Sequence, residues 1–242
     1  MPFTFSHPAI ILPVHAAFNR WTSLTGLVAS SLAPDFEKFI RMEAYDPYSH
    51  TWRSIFYFNL PLGLLLTFVF HLVVRDALIH NLPGFMSRRL SRFKQFDWVG
   101  YFRQNYLIVI LSIILGAASH IFWDSFTHRE GRAVGWLPFL LGDIRISGHR
   151  FYYFFILQLL SSLFGALYIL YAILKLPPVS FKPHSSSIFP YWLIVLGIAA
   201  VVIGLKFWLG EHEGWDVIFI YISAIMIGMI AASVILKRLG PS

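Results

Sequence analysis

The chain contains no cysteine, which excludes a disulfide framework, thiolate chemistry and cysteine-held zinc or iron–sulfur sites while leaving the redox compartment open. Any metal must be held by His and carboxylates. Charge is scarce as well: 13% of the 242 residues are Asp, Glu, Lys or Arg, against 57% hydrophobic and 18% aromatic. That apolar excess is more than one water-soluble core buries. The start, MPFTFSHPAIILPVHAAFNR, lacks a basic leading region and a small-residue cleavage site, so mature protein is expected there rather than a signal peptide. No internal repeat or low-complexity tract stands out, and the Pro- and Ser-rich stretch 177–187 reads as a loop.

What is present is a series of long uncharged runs, each matching the thickness of a bilayer core at about 20 residues. Spanning helices are expected at about 53–74, 105–127, 151–174, 189–209 and 215–236. The fold class is all-α, a polytopic membrane helical bundle in a single domain over 1–242, with five secure spans and a short N-terminal hairpin. The hairpin follows from Asn19, Arg20, Thr22 and Ser23, which interrupt an otherwise continuous helix from Pro8 to Leu32. Two short helices fit better, Ser6 capping one ahead of Pro8 and Thr22 or Ser23 capping one that stops before Pro34. Each is about 15 Å long, half a bilayer core. Doubling back places His7 and Asp35 at one end, whereas a single straight helix would part them by about 40 Å.

The net charge of +7 would point to nucleic acid only if Lys and Arg lined one face. They fall between the apolar runs instead, so topology explains them and no nucleic-acid partner is expected. Arg75, Arg88, Arg89, Arg92, Lys94 and Arg103 crowd the link between the first two spans, which marks it as cytoplasmic. Alternation then puts Lys175, Lys182, Lys237, Arg238 and the C-terminus inside, and the connections with Asp35, His50, His128, His149 and His212 outside. Asp76 and Asp97 are the inside acids among the 12, although four Arg in the external 128–150 link weaken the contrast.

The stretch from Ser119 to His128 reads HxxxDxxxH at the outer end of a span. Residues four apart share a helix face with Cβ atoms about 6 Å apart, so His120 and Asp124 can share one metal ion. His128 lies about 12 Å further along the axis than His120. It joins the same ion only if the helix bends or ends there, and otherwise serves a second ion or a substrate oxygen. An interfacial polar end is the bland alternative for Asp124 and His128. His120 argues against it, because an ionisable group inside a span is expensive and has a partner. Gly116, Ala117, Ala118 and Ser119 allow close helix approach there.

Leu32-Ala33-Pro34-Asp35 and Tyr48-Ser49-His50-Thr51 fall on the same side, and with His7 they complete a set of five: His7, Asp35, His50, His120 and Asp124. Imidazole nitrogen and carboxylate oxygen suit one or two divalent ions, zinc, manganese or iron. Glu37, or the Glu211-His212-Glu213 group, could orient a ligand or act as general base, with a solvated loop as the plainer reading. His71, His80 and His184 fall inside and read as structural, and His15 as a satisfied core histidine. Gln158, Ser161 and Ser162 either pack between helices or line a cavity, and Gly228 with Ala232 forms a small-residue contact pair.

The motifs MPFTFSHPA, SLAPDFE, SHT, LPLGLLL followed by FH, and HIFWDSFTHREG occur in order through residues 1–175. On these the chain resembles the bacterial DUF4184 family of integral membrane proteins. The spacing of the N-terminal His, the Pro-Asp, the His beside Ser or Thr, and the HxxxD is also similar to membrane-bound metal-dependent hydrolases of the DUF457 and YdjM type, and more remotely to zinc-dependent phospholipase C. That similarity implies His7, Asp35, His50, His120 and Asp124 as ligands. Members of the hydrolase group commonly carry an acid and a His directly after Pro-Asp. Here Phe36 and Glu37 follow Asp35, a departure that counts against a dinuclear site.

The expected function is a metal-dependent hydrolase of the bacterial inner membrane, acting on a lipid-linked phosphate or ester at the outer face, with a divalent ion (zinc or manganese) as cofactor, Glu37 and His128 as candidate catalytic residues, and membrane lipid as partner. The alternative is a non-enzymatic membrane protein whose His/Asp cluster is a structural clasp or ligand site. A transporter ranks last, since neither paired broken helices nor inverted halves are evident.

Overall fold

The computed structural model describes residues 3–179, 188–210 and 214–239. Lys182, His184, the Glu211-His212-Glu213 group and most of the 177–187 stretch therefore lie outside the described residues. Among the described residues, five helices are long and apolar enough to cross a membrane: α4 (Ile55–Asn81), α6 (Trp98–Thr127), α8 (Tyr153–Lys175), α9 (Phe189–Leu209) and α10 (Trp215–Leu239). The shorter helices are α1 (Pro8–Ala17), α2 (Leu24–Leu32), α3 (Phe36–Arg41), α5 (Gly84–Leu90) and α7 (Arg132–Trp136). The protein is an all-α integral membrane protein.

Two spans start or stop away from the expected positions. The first helix runs on from 74 to Asn81 and the second begins at Trp98 rather than 105. Arg75 and the Arg103-Gln104-Asn105 group mark the ends of the apolar runs, but a helix needs only its backbone bonds to continue past them. Asn105 still leaves its mark, with φ −128° and ψ 27° interrupting α6. The third span starts at Tyr153 because residues just before it form a small antiparallel hairpin, β1 (Asp143–Ile146) with β2 (His149–Tyr152), an element absent from the sequence expectation. Its turn uses Ser147 and Gly148 at positive φ.

The chain packs as two compact units, one of residues 1–35, 48–64 and 105–172, the other of residues 36–47, 65–104 and 173–242. In the first, α1 and α2 form the expected hairpin. Pro8 occupies the first position of α1, where its missing N–H costs nothing. Ser23 caps α2, accepting from Gly26 N at 3.3 Å. Ser6 does not cap α1: its hydroxyl donates to Ser162 O at 2.8 Å, which pins the N-terminus to α8 instead. Between the helices, Thr22 Oγ1 bonds Phe18 O and His15 Nδ1, so His15 is satisfied locally. The pair docks on α6 where small residues permit it. A methyl at Gly116 would collide with Ser30 Oγ and Leu27 O, and Ser23 N donates to Ser112 Oγ at 2.8 Å.

In the second unit, Tyr191, Val195 and Ala232 form a buried core between α9 and α10. Gly228 permits their approach, since a Cβ there would sit 2.5 Å from Val195 O. The pair of small residues therefore works within the chain.

Candidate functional site

His120 and Asp124 share one face of α6, as their spacing of four requires. His120 is fully buried. Its Nδ1 lies 2.7 Å from Ser31 O, at the end of α2. A carbonyl only accepts, so Nδ1 carries the proton and Nε2 presents a lone pair. Docking of α2 on Gly116, one turn earlier along α6, thus fixes the tautomer of His120.

Asp35 closes the 3₁₀ turn Ala33–Asp35 that continues α2, and it too is buried. Thr4 Oγ1 donates to its Oδ2 at 2.6 Å. His7, at the start of α1, stacks its ring on His120 with centroids 3.7 Å apart. His50 comes from the loop before α4. There Thr51 and Ser54 exchange side-chain-to-backbone bonds, and Asn59 Nδ2 donates to Ser49 O at 3.0 Å from within a π-helical turn, Ile55–Asn59. Ser49 Oγ lies 3.1 Å from His50 Nδ1, a contact that turns Nε2 toward His120 and the carboxylates. All five side chains belong to the first unit.

Their atoms converge at a narrow range of distances. His50 Nε2 is 3.3 Å from His120 Nε2, His120 Nε2 is 3.3 Å from Asp124 Oδ2, and His50 Nε2 is 3.5 Å from Asp124 Oδ2. Asp35 Oδ1 lies 3.4 Å from His50 Nε2, and Asp124 Oδ1 lies 3.5 Å from His7 Nε2. Good hydrogen bonds between such atoms span about 2.7–3.2 Å. By contrast, a tetrahedral ion with bonds of about 2.0–2.1 Å holds its ligand atoms about 3.3–3.4 Å apart. The triangle of His50, His120 and Asp124 has that edge length. A second set, His7, Asp35 and His120, also brings one ligand atom each within 4.8 Å of one another. The buried group can hold a metal ion.

Electrostatics point the same way. A lone pair of His120 faces a carboxylate across 3.3 Å, an arrangement that a positive charge between them relieves. Both ring nitrogens of His7 and Asp124 Oδ1 are buried without a hydrogen-bond partner. Burial, helped by the neighbouring His120, pushes the His7 imidazole down to about 3. His7 is therefore neutral at physiological pH, the form in which imidazole ligates metals.

The helix α6 ends at Thr127, and His128 folds back so that its Nδ1 is 3.7 Å from Asp124 Oδ2 and 3.0 Å from Asp124 O. It is half-buried at the edge of the group. Glu37 lies in the other unit, buried on α3 and paired with Arg41 at 3.0 Å, so the solvated-loop reading does not hold for it. His71 also lies in that unit, bonded to Arg75. Of the α8 polar residues, Ser162 Oγ accepts from Phe3 N, while Ser161 lines a groove.

Thr4, Ser31 O, Ser49 and Asn59 orient the cluster, yet sequence reasoning did not single them out. Thr4 and Ser49 sit inside the motifs MPFTFSHPA and SHT, which was the available signal. The carbonyl of Ser31 has no sequence signature at all, since any residue supplies one.

The family model described as "Domain of unknown function (DUF4184)" matches residues 1–236, almost the whole chain. No curated protein and no solved structure matches it.

Proposed function

We propose that this chain, which belongs to the DUF4184 family, is a metal-dependent hydrolase of the bacterial inner membrane acting on a lipid-linked phosphate or ester at the outer face. The observation that carries this reading is the His50–His120–Asp124 triangle, whose edges of 3.3–3.5 Å suit a tetrahedral ion such as zinc better than a set of short hydrogen bonds. When bound, such an ion supplies Lewis acidity and water activation at neutral pH.

The chain's own residues would do the rest. His50 and His120 offer Nε2, with Ser49 Oγ beside His50 Nδ1 and Ser31 O accepting the Nδ1 proton of His120. Asp124 contributes Oδ2, and Asp35, oriented by Thr4, stands beside His50 to complete the set or to take a proton from water. His128, partly exposed and 3.7 Å from Asp124, is the candidate donor to a leaving group. Glu37 is held by Arg41 and is assigned no part. The excess of Lys and Arg between the first two spans supports a cytoplasmic C-terminus and an outward-facing site.

The second reading is a clasp, in which a proton rather than a metal joins His120 to the carboxylates. Purified protein reconstituted in liposomes with zinc or manganese separates the two. Hydrolase function predicts release of phosphate or fatty acid from lipid phosphates or esters, lost in His50→Ala and Asp124→Asn with the melting temperature kept. Clasp function predicts no turnover by wild type and lower melting temperatures in both variants.

A further inference from the structure

The first unit contains a groove of about 550 Å³ walled by Ile10 and Pro13 of α1, Trp123 of α6, and Leu157, Leu160 and Phe164 of α8. It exists because α8 closes on the N-terminal segment at Gly165, where a Cβ would come within 2.9 Å of Ser6 O. The lining is overwhelmingly apolar. Ser6 and Ser161 also border it, but their hydroxyls are committed to Ser162 O and Gln158 O. His7 borders it as well, 2% exposed and with neither ring nitrogen hydrogen-bonded. An apolar trough that ends in a membrane-active site's unsatisfied imidazole has the composition of a site for an amphiphile. Leu160 and Phe164 are exposed on a spanning helix, so a chain can enter sideways from the bilayer.

We propose that this groove binds one hydrocarbon chain of an amphiphile and brings its polar head to His7, and so to the cluster. That the amphiphile is a substrate rests on the hydrolase reading above; the groove's chain selectivity does not. At roughly 30 Å³ per methylene, close to the liquid share of a water molecule, the groove has room for one chain of about 16–18 carbons. The recognised class is thus a lipid phosphate with one long chain in the groove.

The test uses hexadecylphosphonate and octylphosphonate, whose C–P bonds are not hydrolysed, with binding to the full chain in nanodiscs read by native mass spectrometry after correction for bilayer partition. One hexadecylphosphonate per chain is expected, at least tenfold tighter than octylphosphonate. Ser161→Phe, which fills the groove, should weaken the long probe tenfold or more while leaving metal content unchanged. Leu160→Ala, a milder change in an exposed wall, should weaken it about threefold to tenfold even if the Phe variant does not fold. Equal affinity for the two probes, or unaltered long-probe binding in the folded variants, overturns the proposal and makes the groove ordinary lipid-solvated surface. Metal removal distinguishes the two ideas: chain-length selectivity should survive it. If removal also leaves the affinity for the phosphonate head unchanged, the groove stands and the hydrolase reading falls.

Discussion

Two buried polar clusters, one in each unit, show what a clasp looks like and what it does not look like. In the second unit Arg75, 4% exposed, places four of its five N–H donors on acceptors: Nη1 on His71 Nδ1 at 2.9 Å and Phe96 O at 2.8 Å, Nε and Nη2 on Asp76. His71 stacks flat on Trp98, 4.5 Å between ring centres. Donors meet acceptors there at ordinary hydrogen-bond lengths, so the cluster needs nothing added. The cluster around His120 is built the other way. Nitrogen lone pairs and carboxylate oxygens converge at 3.3–3.5 Å, donors are short, and three buried atoms of His7 and Asp124 are left without partners. A saturated cluster stabilises a fold, whereas an acceptor-rich one has the ligand atoms to hold a cation.

Breaking the contrast on the saturated side should have the larger effect on stability. Arg75→Met removes the guanidinium that bonds His71 Nδ1, Phe96 O and Asp76, and should destabilise the protein by about 2–4 kcal/mol. Chemical or thermal unfolding in detergent measures this. Metal content of the surviving folded protein should match wild type, and a loss there would mean that the two clusters are not separate in function.

A smaller change sharpens the other side. Thr4→Val removes the hydroxyl that orients Asp35 while keeping its volume. If Asp35 serves a bound ion, affinity for zinc should fall about tenfold, with a stability cost of only about 1 kcal/mol. Competition against a chromophoric chelator reads the affinity. An unchanged affinity would restrict the ion to His50, His120 and Asp124.

Much of this was legible from residue order alone. The five spans are visible because a bilayer imposes a length on apolar runs, and the interruption at Asn19 to Ser23 announced the hairpin. The HxxxD pair is visible because helix periodicity is local. Span ends were misjudged at Arg75 and Asn105 because charge marks where apolar sequence stops, not where backbone hydrogen bonding does. The roles of Ser31 O and Asn59 were hidden, since each depends on how α2 or the 49–54 loop docks in three dimensions. Ser6 illustrates the same limit: its position before Pro8 reads as a cap, but a carbonyl on α8, more than 150 residues away, takes its proton. The groove beside His7 had no sequence signature, because its walls come from three helices far apart in the chain.

A metal ion held by the acceptor-rich cluster should be visible to elemental analysis of protein purified without chelator. Wild type should carry about one equivalent of a divalent transition metal per chain, and His120→Ala and Asp124→Asn variants that remain folded should carry little or none. Wild-type protein that takes up no stoichiometric metal, even after dialysis against zinc or manganese, would contradict the metal reading and leave a proton-bridged clasp in its place.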